Sequence, residues 1–200
     1  MNNVGLDNWV RDLVISFRQI LDAHESHLKS FCSHGVQVEG WLKGEFLGFL
    51  EQQEAEGMIM SFNREEKVNR DERKKVDFRI RLTTETGTEY AWLELKHWLI
   101  GKQRGVKYDA SFYFGDPTAV GIIEDAKKLT KVPDEGKYIL ILATANPGDD
   151  NWQKGVVKFN QKFTPISIES LVQPKDFPDH YSIGLLKVKD LAGEIVRETT

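Results

Sequence analysis

The sequence predicts an α/β protein, with a central mixed β-sheet flanked by helices and an N-terminal helix ahead of it. Three observations predict this. Apolar residues recur at helical spacing through the first quarter of the chain. Two alternating strands, KKVDFRIRL and EYAWLELKHW, then face each other across a short turn. A helical segment and a fully apolar strand, YILILATA (138–145), follow. An antiparallel meander followed by a helical crossover gives a mixed sheet with helices on its faces.

Taken in order, Asp7 caps a helix running to about Phe31, with Val10, Leu13, Val14, Phe17, Ile20, Leu21 and Leu28 on one face. The stretch CSHG breaks it. A second helix, 37–55, carries Val38, Trp41, Leu42, Phe46, Phe49 and Leu50, and Gly57 ends it. MIMSF (58–62) reads as a strand, and the charged run 63–75 as a solvated hairpin or loop. The two alternating strands are joined around Thr84 to Gly87. A helix runs from about Pro117 to Lys131, with proline in its first turn. The apolar strand closes at Asn146-Pro147-Gly148. Residues 149–180 are weakly patterned, and 180–190 read as a final strand.

Two hundred residues fit one domain. A net charge of −4 excludes a globally basic nucleic-acid binder, so any phosphate-binding surface is local. Cys32 is the only cysteine, which excludes an intrachain disulfide and suits a reducing cytosol. The first residues lack the apolar run of a signal peptide, and YILILATA is far too short to span a membrane. The expectation is a soluble cytoplasmic protein with no membrane partner.

The chemistry concentrates on the two alternating strands. Glu94 and Lys96 share a face because they are two apart. In a hairpin, the pair 82/89 has the same index sum as 77/94, so Asp77 lies opposite Glu94 with Cβ atoms roughly 5 Å apart. Two carboxylates and a lysine on one face are costly unless a cation neutralises them. Glu-x-Lys also occurs at 65–67, 72–74 and 135–137, but in charged, turn-like sequence. The copy at Glu94 lies among Trp92, Leu93, Leu95 and Trp98. The plain alternative makes 90–98 an edge strand, with Glu94 and Lys96 an ordinary surface pair. Glu45 projects between Trp41, Leu42 and Phe49, inside the apolar sector of its helix, where a carboxylate needs a partner or a metal. Glu39, in the first turn of that helix, is explained by its N-terminal position alone.

A helix with an acidic residue, a strand with Asp, a strand with Glu-x-Lys, a helix and a buried strand resemble the PD-(D/E)xK nuclease superfamily, the restriction-endonuclease-like fold. The matching residues are Glu45 in WLKGEFLGFL, Asp77 in KKVDFRIRL, and Glu94 with Lys96 in WLELKHW. Val76 stands where the signature has proline. The resemblance covers residues 36–145. It divides the single domain 1–200 into an N-terminal helical segment (1–35), a nuclease-like core, and a stretch (146–200) that completes the sheet.

The resemblance implies metal-dependent phosphodiester hydrolysis of nucleic acid, DNA ahead of RNA, as an endonuclease. The superfamily's alternative is a non-catalytic nucleic-acid-binding or assembly module of the same fold. Asp77, Glu94 and Glu45 would hold Mg²⁺, with Mn²⁺ able to substitute. The ion would polarise a phosphate oxygen and help generate hydroxide. Lys96 would orient the water or stabilise charge on the attacked phosphate. A homodimer is compatible with this reading.

Weaker candidates surround the site. Arg79 alternates onto the Asp77 face, and Lys102, Arg104 and Lys107 follow the site strand as a basic rim for phosphates. Asp125, Lys127 and Lys128 line a groove or simply solvate a helix surface. Tyr108, Tyr113 and Trp152 stack on bases or fill the interior. His24, His27, Cys32 and His34 lack the spacing of a usual zinc site. His97 points away from Lys96, as a packed core histidine.

Overall fold

A computed structural model describes residues 4–68, 74–84, 87–100, 102–103, 106–107, 110–115, 121–133, 136–175 and 177–191. The elements in chain order are α1 (Val4–Ala23), α2 (Glu25–His34), α3 (Glu39–Ala55), β1 (Ser61–Lys67), β2 (Lys75–Thr84) and β3 (Gly87–Leu99). A two-residue ladder, β4 (Lys102–Gln103) with β5 (Val106–Lys107), comes next. Then follow α4 (Ala110–Gly115), α5 (Ile123–Leu129), β6 (Gly136–Thr144), α6 (Asp149–Lys162), β7 (Ile166–Val172) and β8 (Ser182–Asp190).

Six strands form one mixed sheet in the order β1-β2-β3-β6-β8-β7. Among the described strands, only β3 and β6 run parallel, as a chain crossing over from one strand to its neighbour requires. The other pairs are antiparallel. The α/β class and the flanking helices are therefore as the sequence predicts.

Strand alternation divides the core. Phe78, Ile80, Leu82, Leu93, Leu95, Leu140 and Leu142 face α1, α2 and α3. Trp92, Trp98, Ile139, Ile141, Leu186 and Val188 face α4, α5 and α6. β6, buried along nearly its whole length, has apolar residues on both faces.

Several elements differ from expectation. The first helix is two, interrupted at His24, which accepts no cap and bonds backward to Leu21. Asp7 lies inside α1, where its carboxylate takes Tyr138 Oη–H and Lys187 Nζ–H, each at 2.7 Å. Residues 63–67 take the hairpin form and not the loop: β2 pairs them on either side of Glu65, and Arg64, Glu65 and Lys67 are exposed from an edge position. The weakly patterned 149–180 contains α6 and β7. Asn160 on α6 bonds both the N–H and the C=O of Ile168 in edge strand β7, at 2.7 and 2.9 Å.

Candidate active site

β2 and β3 pair from Thr84↔Gly87 to Phe78↔Leu93, including Leu82↔Glu89, in the register read from the sequence. One position beyond the end of this ladder, side chains continue the pairing. Leu95 N–H donates to Asp77 Oδ2 at 2.9 Å, and Asp77 N–H donates to Glu94 Oε2 at 3.3 Å. Each carboxylate takes a backbone donor from the opposite strand, so Asp77 and Glu94 are held against one another. Lys96 follows two residues on, its side chain 17% exposed.

Helices from both layers reach this point. On α3, Glu39 and Lys43 are an i,i+4 pair at 2.9 Å, and Lys43 also meets Asp77 Oδ1 at 2.9 Å. On α5, Asp125 and Lys128 are an i,i+3 pair at 3.1 Å. Lys128 reaches Glu94 Oε1 at 2.7 Å, and Asp125 accepts Lys96 at 3.0 Å. Lys96 lies 3.8 Å from Glu39. The apolar faces of the two helices, Leu42 and Phe46 on α3 and Ile123 and Ala126 on α5, are buried and fix where these charges fall.

The start of α3 is itself tied to β3. Val38 N lies 3.2 Å from His97 Nδ1, and His97 Nε2 lies 2.7 Å from Thr144 Oγ1. Gln37 Oε1 lies 2.6 Å from the same Nδ1, so the tautomer sets the roles: Nδ1 accepts from Val38 or, carrying the proton, donates to Gln37. Burial lowers the His97 pKa to about 4. The ring is a neutral structural clamp, as its side of the strand predicts.

Four carboxylates (Glu39, Asp77, Glu94, Asp125) meet three ammonium groups (Lys43, Lys96, Lys128). The excess negative charge is felt by Glu94. Burial first, then Asp77 and Asp125, push its pKa up to about 8 against the opposing pull of Lys128. Burial alone would lower the pKa of Lys43. Its hydrogen bonds to Asp77 and Glu39 more than reverse that, and its pKa is raised. The same balance, with Asp125 and Glu39 as partners, raises Lys96. Tyr113 borders the cluster. It stacks on Trp98 with centroids 5.0 Å apart, and its buried hydroxyl finds no hydrogen-bond partner among the described residues. Burial, then Asp125 and Glu39, raise its pKa.

Asp77, Glu94 and Lys96 are thus brought together as predicted. Glu45 is a correction. It pairs with His24 at 3.4 Å, on the side of α3 where Trp41 meets His24 and Phe31. At 100° per residue, Glu39 and Glu45 point about 120° apart, so one helix cannot aim both at the site. Glu39 supplies the helical carboxylate. Arg79 lies on the Asp77 face, but its guanidinium is stacked over Tyr90 and Trp92, 4.0 and 5.0 Å from the ring centroids. Lys102 and Lys107 are backbone partners in the β4–β5 ladder, and Arg104 and Tyr108 lie outside the described residues. Trp152 is core, its Nε1–H bonded to Ser170 Oγ at 2.8 Å. Lys127 pairs with Glu124. Lys43, Asp125 and Lys128 were not selected as site residues. The signal for each was present in the i,i+4 and i,i+3 acid–lysine spacings.

Among the described residues, no three His, Cys, Asp or Glu side chains form a metal-ligand group, because lysines stand between the carboxylates. Mg²⁺ does not require such a group. It takes one or two carboxylates and completes its shell with water and phosphate oxygens. Asp77 and Glu94 fit that demand in type and number. Burial, then repulsion from Asp77 and Asp125, raises the Glu94 pKa, and a cation beside these carboxylates would offset that repulsion; the buried Tyr113 hydroxyl has no hydrogen-bond partner among the described residues.

Compared with protein-family models, curated proteins and solved structures, the chain matches none of them. No helix among the described residues is long and apolar enough to cross a membrane.

Proposed function

We propose that this protein hydrolyses phosphodiester bonds of nucleic acid, DNA ahead of RNA, with Mg²⁺ or Mn²⁺ held by Asp77 and Glu94. The observation that carries the reading is the crossed pair at the end of the β2–β3 ladder, with Lys96 on the same face of the same strand as Glu94. The ion would polarise the phosphate and acidify an attacking water. Asp77 and Glu94 are held in place by backbone N–H groups, so the two carboxylates are positioned before a cation arrives. Lys96 directs its ammonium to charge that develops on the attacked phosphate. Glu39 and Asp125 hold Lys96 charged and aimed. Cutting both strands of a duplex with one such site takes two copies, so the proposal includes a homodimer. A single cysteine suits a reducing cytoplasm, the compartment this reading assigns.

A second reading has its own support. Asp77, Glu94 and Asp125 each already have a lysine partner, which suits a module that binds nucleic acid without turnover. Single- and double-stranded DNA and RNA, incubated with the purified chain and Mg²⁺ or Mn²⁺, separate the two. Metal-dependent cleavage that Asp77→Asn abolishes supports the nuclease. Binding with no cleavage under any of these conditions supports the module.

A further inference from the structure

The nuclease reading leaves Lys43 and Lys128 without a role, yet each sits against a carboxylate oxygen that a cation would use. Lys43 Nζ is 2.9 Å from Asp77 Oδ1, and Lys128 Nζ is 2.7 Å from Glu94 Oε1. A metal ion on the same oxygens would be crowded and repelled by these two like charges. We propose that Lys43 and Lys128 are exchangeable counter-ions, which neutralise Asp77 and Glu94 until a divalent cation arrives and then turn to phosphates of the nucleic-acid backbone. This rests on the nuclease reading and extends it to two further substrate-binding residues.

Charge and geometry both point this way. With all carboxylates ionised, the ion-paired groups among the described residues, Glu39, Asp77, Glu94 and Asp125 against Lys43, Lys96 and Lys128, leave the cluster at −1. A divalent cation alone takes it to +1, and a phosphodiester alone takes it to −2. The two together make it neutral. A site with side chains only 5–27% exposed favours the neutral combination, since uncompensated charge is costly there. A displaced lysine also keeps a tether. Lys43 retains Glu39 at 2.9 Å, and Lys128 retains Asp125 at 3.1 Å. Each can thus leave its first carboxylate while still held beside the site. The two lysines come from opposite layers, α3 and α5, so they would grip the backbone from both sides of the scissile bond.

The consequence is reciprocal coupling: metal tightens nucleic acid, and nucleic acid tightens metal by the same factor. The test is calorimetric titration of the full chain with Mn²⁺, alone and with a DNA duplex made of hydrolysis-resistant phosphorothioate linkages. Wild type should bind Mn²⁺ at least about fivefold more tightly with the duplex present, the lower end of usual coupling. Lys43→Met and Lys128→Met should each bind Mn²⁺ more tightly in the absence of DNA, with the enhancement by duplex falling toward one. Lys127→Met, which changes an exposed neighbour paired with Glu124, should match wild type. Should Lys128→Met fail to fold, the more exposed Lys43→Met decides. Unchanged Mn²⁺ affinity and coupling in the variants, in a wild type that binds the ion and cleaves, overturn the exchange and leave the nuclease reading standing. A wild type that binds no Mn²⁺, with or without duplex, overturns both.

Discussion

Glu94→Gln should make the metal-free protein more stable at neutral and alkaline pH. In the unfolded chain this carboxyl titrates near its ordinary value of 4.5, and in the folded chain near 8. Below pH 4.5 both states hold the proton and nothing is lost. As pH rises further, the unfolded chain releases the proton while the folded chain keeps it. Stability then declines by about 1.4 kcal/mol per pH unit and levels off above the folded value. Across a span of about 3.5 pH units, the loss is on the order of 5 kcal/mol. Glutamine keeps the shape and never ionises, and Lys128 keeps Asp125 at 3.1 Å. Urea unfolding of wild type and variant in chelator, followed by tryptophan fluorescence from acid to alkaline pH, should give curves that diverge as pH rises. Adding Mn²⁺ should raise wild type toward the variant. Parallel curves, or a variant that is less stable in alkali, would mean that Glu94 is stabilised as an anion by Lys128, and the claimed excess of negative charge would be refuted.

Lys96→Ala should lower single-turnover cleavage by on the order of 10²–10³-fold, while calorimetric Mn²⁺ affinity changes far less, because its ammonium acts on the substrate. Near-normal cleavage would remove it from the catalytic set. Glu39→Gln should reduce cleavage, because it loosens both Lys43 and Lys96, whereas Glu45→Gln should leave cleavage at the wild-type rate. The reverse pattern would restore the sequence assignment of Glu45. His97 stays neutral in the fold, so its contribution to stability is complete above its ordinary pKa of 6.5. That contribution is lost as pH falls toward about 4, on the order of 3 kcal/mol in all. His97→Gln should flatten that part of the acid unfolding profile, and an unchanged difference between the two chains across this window would refute the clamp.

The strand part of the site was legible because strands have an unambiguous period. Once Leu82 faces Glu89, Asp77 must face Glu94, and two-residue spacing places Lys96 on the same side. The helical part was less legible. A residue between Trp41 and Phe49 looks buried, but α3 packs on two neighbours at once. Trp41 meets Phe31 of α2 and His24 at the break before it, while Phe46 meets Phe78 of the sheet. The apolar sector therefore spans two directions, and Glu45 belongs to the one facing His24. Periodicity shows that a face is covered and does not show by what. The run 63–67 left hairpin and loop undecided for a related reason. Its charge describes solvent exposure, whereas its strand conformation comes from the neighbour's backbone. Asp125 and Lys128 read equally well as groove-lining or helix-surface charges, because their i,i+3 spacing pairs them with each other and does not show that Glu94 and Lys96 lie beneath them.

The Asp7 carboxylate has a consequence for how the chain is made. Its partners, Tyr138 and Lys187, lie 131 and 180 residues further along. At a synthesis rate of roughly 5–20 residues per second, Asp7 waits about 10–40 s for Lys187 to be added. For that interval the stripe of Val10, Val14, Phe17 and Leu21, fully covered in the finished fold, lacks β8 as part of its cover. A nascent chain stalled before β8 would therefore leave part of the apolar stripe of α1 open to chaperones, and to proteases in their absence.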